Sequence, residues 1–165
     1  VQQGMAGMVL DLFKKWLGGA DTDAQMRRDV AGALNESRLD IEAALMAHQN
    51  WKLRLTAYLE GRSAEDLRAE VICFDDRCDL GKWIHGPGVR RLGRYPGFTA
   101  LRENHRMFHY SDSNVVAVAQ AGRREEAERL LRGVYADFSH RVIEELRALR
   151  ALGGRRTGPE RARQR

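Results

Sequence analysis

Three long stretches of apolar residues at helical spacing constrain this chain more than any other feature of its sequence. From about 24 to 60, from 97 to 121 and from 125 to 152, apolar side chains recur every three or four residues. This period places them on one face of an α-helix, so each stretch is predicted to be amphipathic. Short connections make long helices antiparallel neighbours. With a shorter fourth helix between the first two stretches, the sequence therefore predicts an all-α fold, an antiparallel four-helix bundle.

Shorter segments complete the predicted fold. Apolar residues between 5 and 17 follow the same spacing and predict an extra N-terminal amphipathic helix. Ser63 and Asp66 resemble a capping box, which predicts a second bundle helix over 64–74. Glycines and prolines interrupt the region that follows, where we expect one short helical turn around Cys78.

The composition supports one helical domain with two appendages. With 165 residues and 43% hydrophobic residues, the chain can bury one core. We expect an N-terminal helix and linker over 1–23, the helical bundle over 24–152, and a disordered basic tail over 153–165. The tail holds five arginines and one glutamate, which accounts for four of the five net positive charges. The remaining body is close to neutral, and a solvated tail is expected rather than one that contacts nucleic acid or an anionic membrane. We therefore expect no nucleic-acid partner.

Cysteine usage and hydropathy indicate the compartment. The only two cysteines, Cys73 and Cys78, are too few for a disulfide framework in a chain of this length. A reducing cytoplasm is the expected location. No segment approaches the roughly 20 apolar residues that cross a bilayer, so no membrane span is predicted.

Three histidines and one cysteine are the candidate metal ligands. His105 and His109 lie four residues apart and leave the same helix face, and His48 lies on the apolar face of its own helix. Cys78 lies in a glycine-containing turn that can approach these helices. Three imidazoles and one thiolate form a closed tetrahedral set typical of Zn²⁺. Spacing alone leaves a hydrogen-bonded histidine pair open as the alternative.

The residues around these ligands resemble the chemoreceptor zinc-binding domain family. The resemblance extends over about 40–149 and is carried by HQNWK at 48–52, CDLGKWIHG at 78–86 and HRMFH at 105–109. It implies a four-helix bundle, often dimeric, that holds one zinc ion. The ligands that it implies are His48, Cys78, His105 and His109.

This resemblance also implies a function. Domains of the family regulate bacterial cytoplasmic signalling proteins, chiefly chemotaxis receptors and diguanylate cyclases. They are described as sensors of zinc and, through the zinc-bound cysteine, of oxidants such as hypochlorous acid, so Cys78 is the expected redox residue. The expected partners are a second copy of the chain and a signalling output domain in cis or in trans. These 165 residues contain neither a receptor signalling hairpin nor a cyclase domain, so the output is open.

Five further residues are candidates to support the site. Trp51 and Trp83 flank the ligands, where they either shield the metal or pack in the core with the indole N–H hydrogen-bonded. Asp79, Glu103 and Asp112 are candidates to orient a ligand imidazole, because metal-bound histidine usually donates its other N–H.

Other function classes fit less well. A di-iron bundle needs repeated Glu-x-x-His motifs, which are missing from the sequence. A zinc hydrolase needs an open coordination position and a general base, but no glutamate lies between His105 and His109. We therefore expect no enzyme. A structural zinc-stabilised dimerisation module uses the same ligands as a sensor and remains the alternative.

Overall fold

A computed structural model describes residue 16, residues 23–37 and residues 39–154. The predicted N-terminal helix, apart from Trp16, and the basic tail from 155 lie outside the described residues. Within them the chain is helical and contains no strand, which confirms the all-α class. No described helix is long and apolar enough to cross a membrane.

Eight α-helices and one π-helical turn follow one another in the described residues. They are α1 (Asp23–Ser37), α2 (Ile41–Leu59), α3 (Ala69–Ile72), α4 (Asp79–Trp83), the π-helical turn (Ile84–Gly88), α5 (Val89–Leu92), α6 (Pro96–Gln120), α7 (Arg124–Arg132) and α8 (Val134–Gly153).

The prediction of one helix over 24–60 is wrong, because the chain breaks between α1 and α2. Asp40 has an extended backbone, with φ −86° and ψ 100°, and its side chain accepts a hydrogen bond from the Ala43 amide. This is the geometry of an N-cap, so Asp40 starts a new helix. Leu39 beside it is buried, and the apolar pattern therefore continues across the break.

The predicted helix over 64–74 is reduced to the single turn of α3. The Ser63 hydroxyl accepts a hydrogen bond from the Glu65 amide, which makes a local turn rather than a capped helix. Leu67 is buried, and its carbonyl accepts a 2.7 Å hydrogen bond from the Gln120 side chain on α6. These contacts hold the segment before α3 in a non-helical conformation.

Two further boundaries differ from the sequence prediction. The helix predicted over 125–152 is divided into α7 and α8 at Gly133, whose φ of −101° and ψ of −107° are not helical. The region after Cys78 is more helical than predicted, since the π-helical turn and α5 follow α4 directly.

Helix α6 lies at the centre of the packing. It contacts α8, α7 and α3, while α1 and α2 both pack on α8. Pro96 is at its first position, as predicted, and the buried Trp16 packs so closely on Gly97 that an added Cβ would be 2.3 Å from the indole. The antiparallel four-helix arrangement stays a prediction, because the breaks at Asp40 and Gly133 divide two of its helices.

Candidate metal centre

Side chains from three separate parts of the chain meet at one point inside the fold. His48 lies on α2, His105 and His109 lie one turn apart on α6, and Cys78 immediately precedes α4. The three histidines are buried and Cys78 is half-buried. The structure therefore brings together all four ligands that the sequence predicts.

The spacing of these atoms is close to that of a tetrahedral zinc site. One nitrogen from each histidine and the Cys78 sulfur all lie within 4.8 Å of one another. The Cys78 Sγ is 3.3 Å from the His105 Nε2, and the His105 and His109 ring centroids are 4.7 Å apart. Ligands at 2.0–2.3 Å from a tetrahedral zinc are about 3.3–3.6 Å apart. Small shifts of the side chains would therefore complete the coordination.

Backbone carbonyls fix the orientation of two imidazoles. The Nδ1 of His48 is 2.7 Å from the Ala44 carbonyl, and the Nδ1 of His109 is 2.9 Å from the Ile72 carbonyl. A carbonyl can only accept, so each Nδ1 carries the proton and each Nε2 presents a lone pair. These are the tautomers that bind a metal through Nε2.

Buried polar atoms without partners support a metal at this point. The His109 Nε2 has no hydrogen-bond partner among the described residues, although it is fully buried. Leaving such an atom unsatisfied costs free energy, and a metal bond would satisfy it. The His105 Nδ1 is also buried without a described partner, while its Nε2 faces the sulfur. The donor set and its unsatisfied nitrogen therefore fit Zn²⁺.

Burial sets the protonation states of the cluster. It lowers the pKa of His48 to about 4 and that of His105 to about 2. It also lowers the pKa of His109, against an opposing effect of the Ile72 carbonyl, and raises the pKa of the Cys78 thiol. The imidazoles are therefore neutral near pH 7 and ready to bind, whereas the thiol must lose its proton when a metal binds.

The turn around Cys78 fixes the position of the sulfur. Cys78 is the N-cap of α4, and its Sγ accepts a hydrogen bond from the Gly81 amide at 3.2 Å. Short helices leave their first amides without backbone partners, and here the sulfur takes the role usually filled by a serine or aspartate oxygen.

Two grooves lead from the surface to Cys78. One, of about 770 Å³, is lined by Ala43, Ala47 and Lys82 and reaches His48 and Cys78. The other, of about 460 Å³, is lined by Trp51 and Ile72, among others, and reaches Cys78 and His109. Cys78 therefore forms part of the wall of both grooves, together with His48 in the first and His109 in the second.

The three acidic candidates do not hydrogen-bond the imidazoles in the described structure. Asp79 and Glu103 form ion pairs with Lys82 and Arg106 respectively. Asp112 is fully buried, and neither of its carboxylate oxygens has a described hydrogen-bond partner. The Ala44 and Ile72 carbonyls orient His48 and His109 instead. Sequence reasoning missed these carbonyls, because every residue has one and only the fold selects which are used.

The aromatic candidates lie in different environments. Trp83 is buried in the core, and its indole N–H donates to the Ala33 carbonyl at 3.0 Å. Trp51 is half-buried beside the ligands, with the Arg54 guanidinium 3.9 Å from its ring. Trp83 therefore packs in the core with its indole N–H hydrogen-bonded, as one of the two predicted roles required. Trp51 forms part of the wall of the second groove.

The fold and the cluster together define a helical domain with a candidate zinc site. The model of the chemoreceptor zinc-binding domain family matches residues 48–116, a segment that contains all four candidate ligands. This match confirms the resemblance over that segment, which is shorter than the 40–149 stretch predicted from sequence. No match was found among curated proteins or among solved structures. The family and the cluster point to zinc binding in a signalling-type domain.

Proposed function

We propose that this chain is a zinc-binding regulatory domain of bacterial signal transduction, with His48, Cys78, His105 and His109 as ligands. The observation that carries the proposal is the convergence of four ligating atoms within 4.8 Å. Three of the ligands are neutral imidazoles and the fourth is a cysteine in the wall of two grooves. No feature of the cluster favours a catalytic role, since four protein ligands complete a tetrahedral shell and leave no position for substrate.

The chain's own residues couple this site to the fold. Bound Zn²⁺ would supply the positive charge that stabilises the Cys78 thiolate. Cys78 loses its proton on binding and ties the turn before α4 to α2 and α6. His48 and His109 keep their Nδ1 protons on the Ala44 and Ile72 carbonyls, so the helices need not rearrange. Ligation at Cys78 is therefore the step that changes the conformational freedom of the turn.

We propose that oxidants act at Cys78. The thiolate sulfur attacks hypochlorous acid, gains its oxygen as sulfenic acid and reduces the chlorine to chloride, so that RS⁻ and HOCl give RSOH and Cl⁻. Sulfur is oxidised by two electrons in this step. Sulfenic acid is a poorer ligand than thiolate, so the turn before α4 is released from the histidines. Chemotaxis receptors and diguanylate cyclases in the cytoplasm are the class of output that the family implies.

A second copy of the chain is the proposed partner. Met46 and Leu53 lie seven residues apart on α2, hence on one face, and each is 68% exposed. Exposed large apolar residues on one helix face are typical of an interface. Analytical ultracentrifugation should show a dimer that Leu53→Glu weakens, and an unchanged monomer for both proteins would refute this partner.

Oxidation of zinc-loaded protein tests the proposed function. Native mass spectrometry should show one zinc per chain before oxidation. Stoichiometric hypochlorous acid should then oxidise Cys78 and release the metal. The Cys73→Ser variant should behave like the wild type, and Cys78→Ser should keep its residual metal under the same treatment.

Two results would contradict the proposal in different ways. A chain that binds no zinc refutes the metal site itself. A chain that binds zinc and keeps it after oxidant, with Cys78 unmodified, refutes oxidant sensing and favours a structural dimerisation module.

A further inference from the structure

Gly81 lies where the chain admits no side chain. It is buried within α4, and a Cβ built on it would lie 1.8 Å from the carbonyl oxygen of Asp75 and 3.1 Å from the Asp76 Cα. Both neighbours are backbone atoms, which cannot turn aside as the end of a flexible side chain can. Any other residue at position 81 must therefore push α4 away from the segment that precedes Cys78.

The same glycine contacts the candidate ligand. Its amide donates to the Cys78 Sγ at 3.2 Å, and the sulfur lies 3.3 Å from the His105 Nε2. A displacement of α4 relative to Asp75 therefore moves or releases the sulfur, while the three histidines on α2 and α6 keep their positions.

Asp75 is itself held in place. Its carboxylate lies 3.0 Å from the Nε2 of His85, in the π-helical turn directly after α4. Asp75 thus contacts α4 through its backbone and the residues beyond α4 through its side chain. This hydrogen bond adds a second attachment between the segment before Cys78 and the residues around α4.

We propose that Gly81 is the positioning residue that brings Cys78 into the metal site, an inference that rests on the proposed zinc function. Its missing side chain lets the turn close, and its amide orients the sulfur. With a side chain at position 81, the metal is held by three imidazoles alone. Loss of a group that only orients a ligand typically lowers metal affinity about 10–100-fold. Here the thiolate itself is lost, so the decrease in zinc affinity should exceed about 100-fold.

Cobalt spectroscopy of the intact chain tests this role. Co²⁺ bound by a thiolate shows a sulfur-to-cobalt charge-transfer absorption in the near ultraviolet, which a site of imidazoles lacks. We expect this absorption in the wild type and its loss in Gly81→Ala and in Cys78→Ser. Gly32→Ala in α1 is the matched control, because the nearest atoms to its added Cβ belong to the flexible Arg91 guanidinium. It should retain the absorption.

The outcomes separate the two proposals. A wild type without the absorption refutes Cys78 ligation and with it the proposed function. A wild type with the absorption and a folded Gly81→Ala variant that retains it at full intensity refute the role of Gly81 alone.

A measurement on the wild type covers the case in which Gly81→Ala does not fold. In protein loaded with ¹¹³Cd, a hydrogen bond from the Gly81 amide to the metal-bound sulfur transmits a scalar coupling between the cadmium nucleus and the amide proton. We expect a cross-peak at the Gly81 amide. Cadmium bound through Cys78 with no coupling to Gly81 would overturn the proposal.

Discussion

At the scale of single residues, His109 shows how the fold prepares a candidate ligand for a metal. Its Nδ1–H is held by the Ile72 carbonyl, and its Nε2 is buried without a described partner. Folding has already removed water from that nitrogen, so metal binding would carry no further desolvation cost there. A metal bond would instead satisfy the unpaired nitrogen, which favours binding.

His109→Ala should therefore weaken zinc binding by more than about 100-fold, since loss of an orienting group alone costs about 10–100-fold. Competition with a chromophoric chelator measures the affinity. His140→Ala is the control, because His140 is exposed on α8, and its affinity should equal that of the wild type. Equal affinities for all three proteins would contradict the assignment of His109.

Asp112 gives a prediction about pH. Burial raises the pKa of its carboxyl from the ordinary value of 3.8 to about 8. The folded state therefore binds more protons than the unfolded state between these values, and the free energy of unfolding falls as pH rises through this window. Asp112→Asn removes the effect.

We expect the metal-free wild type to lose stability relative to Asp112→Asn between about pH 5 and pH 8, by at most about 1.4 kcal/mol per pH unit. Urea unfolding in a chelator at several pH values measures the difference. Asp137→Asn, at an exposed position on α8, is the matched control for the loss of one carboxylate. A difference between wild type and Asp112→Asn that is constant with pH would refute the assignment.

At the scale of elements, the sequence predicts a helix well where its ends carry local signals. Pro96 and Gly122 bound α6, which was predicted within one residue at each end. The break at Asp40 was missed because Leu39 and Ile41 are both buried and the apolar pattern continues across it. The apolar pattern shows which side chains are buried, and a break between two helices does not alter that pattern.

The N-cap at Asp40 gives a prediction about α2. Asp40→Ala removes the acceptor for the Ala43 amide and should lower the free energy of unfolding by about 1 kcal/mol. Chemical denaturation measures this change. Ser63→Ala is the control, because Ser63 accepts an amide in a turn that starts no helix, and it should cost less. Equal small effects for both variants would show that α1 and α2 are not separated by a cap.

The candidate site likewise has a part that the sequence predicts and a part that only the fold determines. Its four side chains could be predicted, because imidazole and thiolate chemistry is visible in residue type and spacing. Its supporting groups could not be, because the Ala44, Ile72 and Asp75 carbonyls become specific only when the chain is folded. Gly81 stood within a motif noticed from sequence, yet its contact with Asp75 depends on the fold.

At the scale of the whole molecule, the candidate metal site brings together parts of the chain that are distant in sequence. His48, Cys78 and the α6 histidines are separated by about 30 residues each. A metal that binds only the folded state adds its binding free energy to stability. The turn before α4 has little regular structure of its own and should depend on the metal most.

Zinc should therefore stabilise the chain by about 2.7 kcal/mol at a free concentration one hundred times its Kd. Thermal unfolding with buffered zinc measures this, and a chelator should return the melting temperature to the metal-free value. Cys78→Ser should respond less than the wild type. A melting temperature independent of zinc would contradict the coupling of metal and fold.

The proposed function depends on one zinc ion bound by three imidazoles and the Cys78 thiolate. X-ray absorption at the zinc edge of the loaded protein tests it most directly. We predict one sulfur at about 2.3 Å and three nitrogens at about 2.0–2.1 Å, with the sulfur missing in Cys78→Ser. A shell of nitrogen and oxygen alone in the wild type would contradict the account.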